Sequence, residues 1–457
     1  MNTYYPQFKT VSMISLLLRE FFGVKNQKKK NFSRSFGKRC GLLFSALSGM
    51  LIFALPSQSQ TLNDYLQIAA ENNPDVQSAY YRYKAALQEV PIAGALNDPE
   101  IGFGYFVKPV ETRVGAQEAR VSLTQMLPWF GTLSQRKTVA STEARVRFEE
   151  FQEQRNRLFF SVQERWYEIY FMKQSIEILK QNIQILETFE RAALQNYETA
   201  TGRQVDVLRV QIELEELQNQ LSIQKDELGV LKTDFNSLLN RDSSYEVRSR
   251  DQIESIAVIP ETDDLYDQIL VRNPSLQQLE YKSRARQDEI ALARKSNRPS
   301  FYLGVDYTFV SERPAEIDDN GKDAFMLRGT VKVPIFKNRN RARVEQAQQL
   351  ERAADYAKQE QKNRLRTSLE TALKDMRNAD RNLTLASDVQ IRYTEQAVEM
   401  LLGEYASEGA EFEEVLRMQQ RLLDYLLLRE QSLSNMNIAQ AYLDYISGKH
   451  NITPEEF

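Results

Sequence analysis

Side chains able to do covalent or metal chemistry are scarce in this chain. Cys40 is the only cysteine and His450 the only histidine among 457 residues. Disulfide frameworks, thiolate metal sites and catalysis built on imidazole therefore have nothing to stand on. No phosphate-binding loop or nucleophile triad occurs, and the methionines beyond residue 60 are scattered rather than clustered as soft-metal ligands. Carboxylate pairs are plentiful, but on helix faces such pairs are ordinarily solvated surface. No enzyme, cofactor or metal site is expected. What remains is charge: Glu411, Glu413 and Glu414 precede Arg417 at a helix start, where carboxylates are solvated and favoured by the helix dipole.

The elements that carry these residues are unusually long. From Gly131 to about Ala200 no proline and no internal glycine interrupts the chain, and apolar residues recur in heptads. Ile169, Ile176 and Ile183 take one seam position; Met172, Leu179, Leu186 and Ala193 take the other. An unbroken helix of about 70 residues spans roughly 105 Å, several times the diameter of an ordinary domain. After a turn at Thr201-Gly202, a second helix over 205–240 carries Val207, Leu214, Leu221, Leu228 and Phe235 with Val210, Leu217, Leu231 and Leu238, interrupted at Gln224.

All of this is written twice. Asn73-Pro74 corresponds to Asn273-Pro274, and Asp98-Pro99 to Arg298-Pro299, each 200 residues on. Leu127-Pro128-Trp129-Phe130 matches Val333-Pro334-Ile335-Phe336, and Val207-Leu208-Arg209 matches Val415-Leu416-Arg417. Small drifts in spacing with order preserved are what loop insertions in a tandem duplication produce. The expected first repeat covers 61–260: helix 62–97, strands 99–108 and 119–128, long helix 131–200, helix 205–240 and a junction 241–260. The second covers 261–457: helix 263–297, strands 299–311 and 324–334, long helix 336–407, helix 411–447 and a tail. The junction and tail read as irregular structure, a belt between stacked helices.

Residues 1–60 hold nine Lys or Arg and one acid, leaving 50 basic and 62 acidic residues beyond, a net of −12. That acidic body argues against nucleic acid, whose phosphates it would repel. Within the first 60 residues, Lys28-Lys29-Lys30 to Arg39 form a basic flank and Gly41 to Leu55 a 15-residue apolar run, followed by a small polar exit. This reads as a secretory signal, too short to span a bilayer, with a membrane anchor as the alternative. A wrongly assigned initiator would explain the residues ahead of it.

Between the helices the period changes to two. Ile101, Phe103, Tyr105 and Val107 alternate with Gly102, Gly104 and Phe106; beyond a polar loop at Glu111–Glu118, Val121 and Leu123 alternate with Arg120, Ser122 and Thr124. Phe301 to Phe309 and Phe325 to Val333 repeat the pattern. A soluble sheet packed on the helices would also alternate. Aromatics at the strand ends, prolines at the strand–helix boundaries and the long acidic loop Ser311–Asp323 favour hairpins that cross a bilayer. Four such strands cannot close, and an open edge in hydrocarbon costs several kcal/mol per unpaired group. A homo-oligomer is therefore expected, and three copies would give twelve strands.

Strand hairpin, proline elbow, giant helix, glycine turn and returning helix, duplicated behind a signal, resemble the TolC-like outer-membrane efflux channel family over about 61–447. The most family-like phrases run from Tyr197 to Gln211 and from Tyr405 to Gln419. The resemblance implies a mainly α, internally duplicated fold. Its long coiled-coil α-helical barrel would lie in the periplasm, and its four strands would join a 12-stranded trimeric β-barrel in the outer membrane. It also implies a periplasmic adaptor and an inner-membrane pump, of the RND type, as partners. Gly202 and Gly409 would supply left-handed caps at the periplasmic tip. Asp206, Val207, Leu208, Val415 and Leu416 would form the surface that adaptor hairpins dock against, or else coiled-coil core. By position Glu414 matches the first acid of the family's entrance ring, with Glu411 and Glu413 adding charge. Arg417 departs from the pattern, so a cation-favouring ring and an inter-chain Glu414–Arg417 latch both stand. The phrase Gln125-Met-Leu-Pro-Trp-Phe-Gly131 looks most like partners of heavy-metal pumps, so heavy-metal cations or drugs are the expected cargo of a passive exit duct. A periplasmic coiled-coil scaffold is the other reading; it leaves the duplicated hairpins unexplained.

Overall fold

The computed structural model describes residues 61–248, 253, 254, 256, 262–314, 316–406 and 411–453. The signal-like segment, Cys40, Gly409 and the end of the tail lie outside them. In the first repeat the elements are α1 (Leu62–Asn72), α2 (Pro74–Gly94), β1 (Glu100–Thr112), β2 (Gly115–Leu127), α3 (Thr132–Glu198) and α4 (Gln204–Leu238). The second repeats them as α5 (Thr262–Arg272), α6 (Pro274–Ser296), β3 (Ser300–Ser311), β4 (Ala324–Lys332), α7 (Lys337–Leu385), α8 (Ile391–Ala406) and α9 (Phe412–Ile446).

Each single helix expected ahead of the strands, 62–97 and 263–297, is in fact two. Proline lacks an N–H and forces the residue before it out of the helical region. Asn73 accordingly adopts φ −65°, ψ 125° and Asn273 φ −63°, ψ 120°. Each caps the helix that follows: the Asn73 side-chain Oδ1 accepts from the Asp75 and Val76 amides, and that of Asn273 from the Leu276 amide.

The helix expected over 336–407 is also interrupted. A π-helical turn at Ala386–Gln390 separates α7 from α8. Neither proline nor glycine marks the place, and nothing in the sequence explains it.

The four strands form one antiparallel sheet in the order β1-β2-β3-β4. The polar loop expected at Glu111–Glu118 is paired backbone instead, closed by Thr112 opposite Gly115. Polarity does not stop a ladder from continuing. Gly115 makes the tight turn possible with φ 141°, where an added Cβ would lie 1.8 Å from the Ser311 carbonyl oxygen. Beyond β3, Asp323 accepts from the Tyr307 hydroxyl at 2.6 Å and the Val310 amide at 2.9 Å, ordering the long loop before β4.

The heptads of α3 do what their period dictates. Ile169, Ile176, Leu179, Ile183, Leu186 and Ala193 are all buried, whereas Met172 is only partly so. Opposite them α4 buries Val207, Val210, Leu214, Leu217 and Phe235. The interruption at Gln224 meets a polar partner: its carbonyl oxygen accepts from the buried Ser175 hydroxyl at 2.8 Å, so neither group is left unsatisfied. Side by side the helices form a layer in which α3 touches α2, α4, α6 and α9, and α7 touches α6 and α9. The layer therefore ends on α2 and α4 at one side and on α7 at the other. Irregular segments cross α3 at mid-length: Lys173 and Trp166 donate to the Val247 and Arg248 carbonyls, and Gln152 exchanges two hydrogen bonds with the Ile452 backbone.

Candidate functional site: the helical tip and the two sheet faces

The tip is built where α3 turns into α4 and where α9 begins. The α3 turn closes with the Thr201 and Gly202 amides both donating to the Asn196 carbonyl at 2.9 Å. The expected left-handed glycine is not Gly202. Ala200 takes that conformation, with φ 61°. Gly202 is needed for a different reason: a Cβ there would stand 2.9 Å from the Asn196 Cβ and 3.2 Å from the Tyr197 amide nitrogen. The matching turn at Gly409 lies outside the described residues.

Asp206 is buried at the start of α4, yet its carboxylate is met by two arginines from its own repeat. Arg203 Nε lies 3.2 Å from Oδ2, and Arg209 Nη1 lies 3.7 Å from Oδ1. The same arginines reach across to the second repeat, Arg203 Nη1 to Glu411 at 3.7 Å and Arg209 Nη2 to Glu413 at 2.8 Å. The hydrogen bonds that Arg203 donates to Asp206, with the charge of Asp206 and the nearby acids, raise the Arg203 pKa further. Glu414 is exposed and faces Arg417 from the same helix at 3.8 Å. Among the described residues Arg203 and Arg209 thus join Asp206, Glu411 and Glu413 in one network, with Glu414 and Arg417 as a separate pair. Arg203 and Arg209 escaped the sequence reading. Arg209 occupies the position equivalent to Arg417, which was the available signal.

Of the apolar tip residues, Val207, Val415 and Leu416 pack in the core with Phe412, Leu186 and Phe189. Leu208 is turned out, 51% exposed, and continues into an open stripe with Val205 and Ile212. Those two neighbours follow from helical spacing once Leu208 is seen to face solvent.

At the other end of the molecule the sheet has two unlike faces. Directly opposed residues share a face, so the pairs Ile101–Leu123, Leu123–Val305 and Val305–Leu327 define an apolar one. The other carries Gly102, Ser122, Asp306 and Met326 in one row, with Arg120 and Arg328 in the adjacent rows. Buried Asp306 lies 3.5 Å from Arg328 Nε, and Arg328 donates to the Thr124 hydroxyl at 3.0 Å, passing over Gly304. No helix among the described residues is long and apolar enough to cross a membrane. Among the same residues no cluster of His, Cys, Asp and Glu could hold a metal ion.

Residues 65–228 and 265–446 match the family model described as outer membrane efflux protein. The chain belongs to that family. The two matched segments fall on the two repeats, and members of the family are channels of the outer membrane rather than enzymes. This efflux protein accordingly belongs in the outer membrane. Solved structures agree in fold. The outer-membrane channel OprN superposes with a TM-score of 0.72 at 17% identity, covering 85% of this chain and 89% of that one. VceC of Vibrio cholerae gives 0.70 at 14%, with 85% and 96% covered. CusC, described in terms of folding and transmembrane channel formation, gives 0.71 at 13%, with 85% and 92% covered. No curated protein matches the efflux protein in sequence.

Proposed function

We propose that three copies of this chain form the exit duct of a tripartite efflux pump, passively conducting cargo from a periplasmic adaptor and an inner-membrane pump of the RND type to the outside. One observation carries the reading: sheet and helical layer stop on the same two sides of the chain. Among the described residues β1 pairs only with β2, and it follows α2, the helix that ends the layer on that side. Among the same residues β4 pairs only with β3, and it leads into α7, the helix that ends the layer on the other. Every residue of β4 is exposed, and among the described residues no strand pairs with the edge of β4 turned away from β3.

A free edge of this length in hydrocarbon costs several kcal/mol per unpaired group. The edge of one copy against the opposite edge of the next is a head-to-tail contact, which closes a ring if the rotation allows. Three copies bring twelve strands, within the range of closed membrane barrels. In that ring the apolar sheet face meets lipid, and the face bearing Arg120, Asp306 and Arg328 lines the pore. The tips of α3, α4 and α9 then form the periplasmic entrance, where the adaptor docks on Leu208, Val205 and Ile212. Heavy-metal cations or drugs are the proposed cargo. A periplasmic coiled-coil scaffold would account for the heptads but would leave the outer edge of β4 unpaired.

Detergent-extracted, unboiled protein tests the reading. Native mass spectrometry should give three times the monomer mass, migration on gels should change on heating, and purified protein should conduct in planar bilayers. A monomer that extracts without detergent and does not conduct rules the duct out.

A further inference from the structure

Where β2 runs into α3, an apolar groove of about 500 Å³ opens on the apolar face of the sheet, lined by Leu96, Leu127, Trp129, Phe130, Phe301 and Leu303. That size falls in the roughly 300–1,000 Å³ range of small-molecule sites. Its floor is ordered: Trp129 stacks on Phe301 with centroids 5.9 Å apart and planes inclined by 23°. Phe130, 6.4 Å from Phe301, is 81% exposed. Large aromatics left open to water beside an ordered apolar floor mark a surface that something covers.

The rim of the groove is basic. Gly131 lines it, and Lys295 Nζ donates to the Gly131 carbonyl at 3.2 Å and to the Gln135 side chain at 3.3 Å. Three of the four surrounding strand–helix junctions carry the same sign. Residues 131–139, 291–300 and 332–343 contain ten Lys or Arg and no acid, while 90–100 add only Asp98 and Glu100. This collar stands out in a chain whose residues beyond 60 are net acidic. It lies where an apolar face gives way to polar helices, the level of lipid headgroups.

We propose that the groove binds an anionic glycerophospholipid of the inner leaflet. One acyl chain lies against Trp129, Phe130 and Phe301, and the phosphate is held by Lys295 with Arg298 and Lys137 nearby. The proposal rests on the strands being in the membrane, as argued above. The other occupant to consider is a neighbouring copy's elbow at Ile335-Phe336, whose apolar residues are also exposed. That elbow is flanked by Lys332, Lys337 and Arg339, and like charge would set it against Lys295. Charge complementarity selects the lipid.

The chain has two tryptophans, so Trp166→Phe leaves Trp129 as the only reporter. The variant is reconstituted into phosphatidylcholine vesicles containing a fixed fraction of either phosphatidylglycerol or phosphatidylcholine with brominated acyl chains, and ion conduction is measured on the same sample. Trp129 emission should be quenched several-fold more by the brominated phosphatidylglycerol. Lys295→Gln should lower that preference roughly five-fold, equivalent to about 1 kcal/mol for one basic group at the surface. Lys295→Arg should keep it, and high salt should weaken it. If Lys295→Gln does not assemble, Lys137→Gln reads the same loss. Equal quenching by the two lipids overturns the proposal. So does absence of quenching in a conducting channel, the outcome expected if a second copy fills the groove. Absence of both quenching and conduction would instead sink the membrane reading itself.

Discussion

Asn73 and Asn273, 200 positions apart, do the same two jobs. Each accepts from backbone amides at the start of the helix that follows it. Each also donates its side-chain N–H at 2.9 Å to the last turn of a distant helix, Asn73 to the Leu238 carbonyl and Asn273 to that of Ile446. The junction of two short stacked helices is thereby tied to the end of the helix that returns from the tip. An Asn-Pro pair supplies the break, the cap and the tie together.

Substitutions separate these jobs. Asn73→Ala should lower stability by about 1–3 kcal/mol, combining a lost cap with a buried carbonyl left unpaired. Asn73→Asp keeps an acceptor for the cap but has no N–H for Leu238, so its loss should be roughly half as large. The same order is expected at position 273. Thermal denaturation of the detergent-solubilised protein ranks the variants, and an Asp variant as damaging as the Ala one would argue that the cap is unimportant.

The tip turn makes an opposite pair of predictions. Ala200 carries a Cβ in the left-handed region, at a cost of about 1–2 kcal/mol. Ala200→Gly should therefore stabilise the turn by up to about 1 kcal/mol. Gly202→Ala, whose Cβ would press on Asn196 and Tyr197, should destabilise it by a similar amount or more. Hydrogen-exchange protection of the amides at 196–204 should rise in the first variant and fall in the second.

Glu149, on α3, makes stability depend on pH. Burial pushes its carboxyl up to about 7 from 4.5, with Arg145 opposing only in part. Because the folded-state value lies above the unfolded one, this group's contribution is fully present below about pH 4.5 and is lost as pH rises through about 7. Glu149→Gln should melt at a higher temperature than the parent at pH 8, with an advantage on the order of 3 kcal/mol that disappears near pH 4.5. A constant difference between the two across that window would mean that Glu149 does not titrate with the fold.

How far these features could be read from sequence depends on how local their causes are. Ile169, Ile176 and Leu179 are buried because a heptad period acts within a few turns, and Phe103 and Leu327 share a sheet face because strands alternate. The repeat was legible because two copies of one pattern check each other. The failures have non-local or degenerate causes. Pro74 is compatible with both a kink and a fresh start, and only the Leu238 carbonyl, far along the chain, decides for the second. Gly202 was assigned the left-handed residue because glycine bears φ > 0 at least cost, yet the packing of Asn196 spends the glycine on close approach and leaves Ala200 to turn. The tip acids looked like a cluster because their partners, Arg203 and Arg209, lie some 200 residues away in sequence.

Those partners make Asp206 the residue to change at the entrance. It is buried between two arginines that also hold Glu411 and Glu413, so it joins the start of α4 to the start of α9. Asp206→Asn removes the charge that both guanidinium groups converge on while keeping size and polarity. The ties from Arg203 and Arg209 to the second repeat should loosen with it, giving more frequent and longer openings in planar bilayers at unchanged barrel assembly. Glu414→Gln, which alters an exposed pair worth about 0–1 kcal/mol, should leave opening frequency near that of the parent. Raising ionic strength should move the parent toward the Asp206→Asn behaviour, because the guanidinium groups and the Glu411 and Glu413 carboxylates are exposed and their ties are screened by salt. If Asp206→Asn gates like the parent while Glu414→Gln opens freely, the entrance is held by the exposed acids and not by this network.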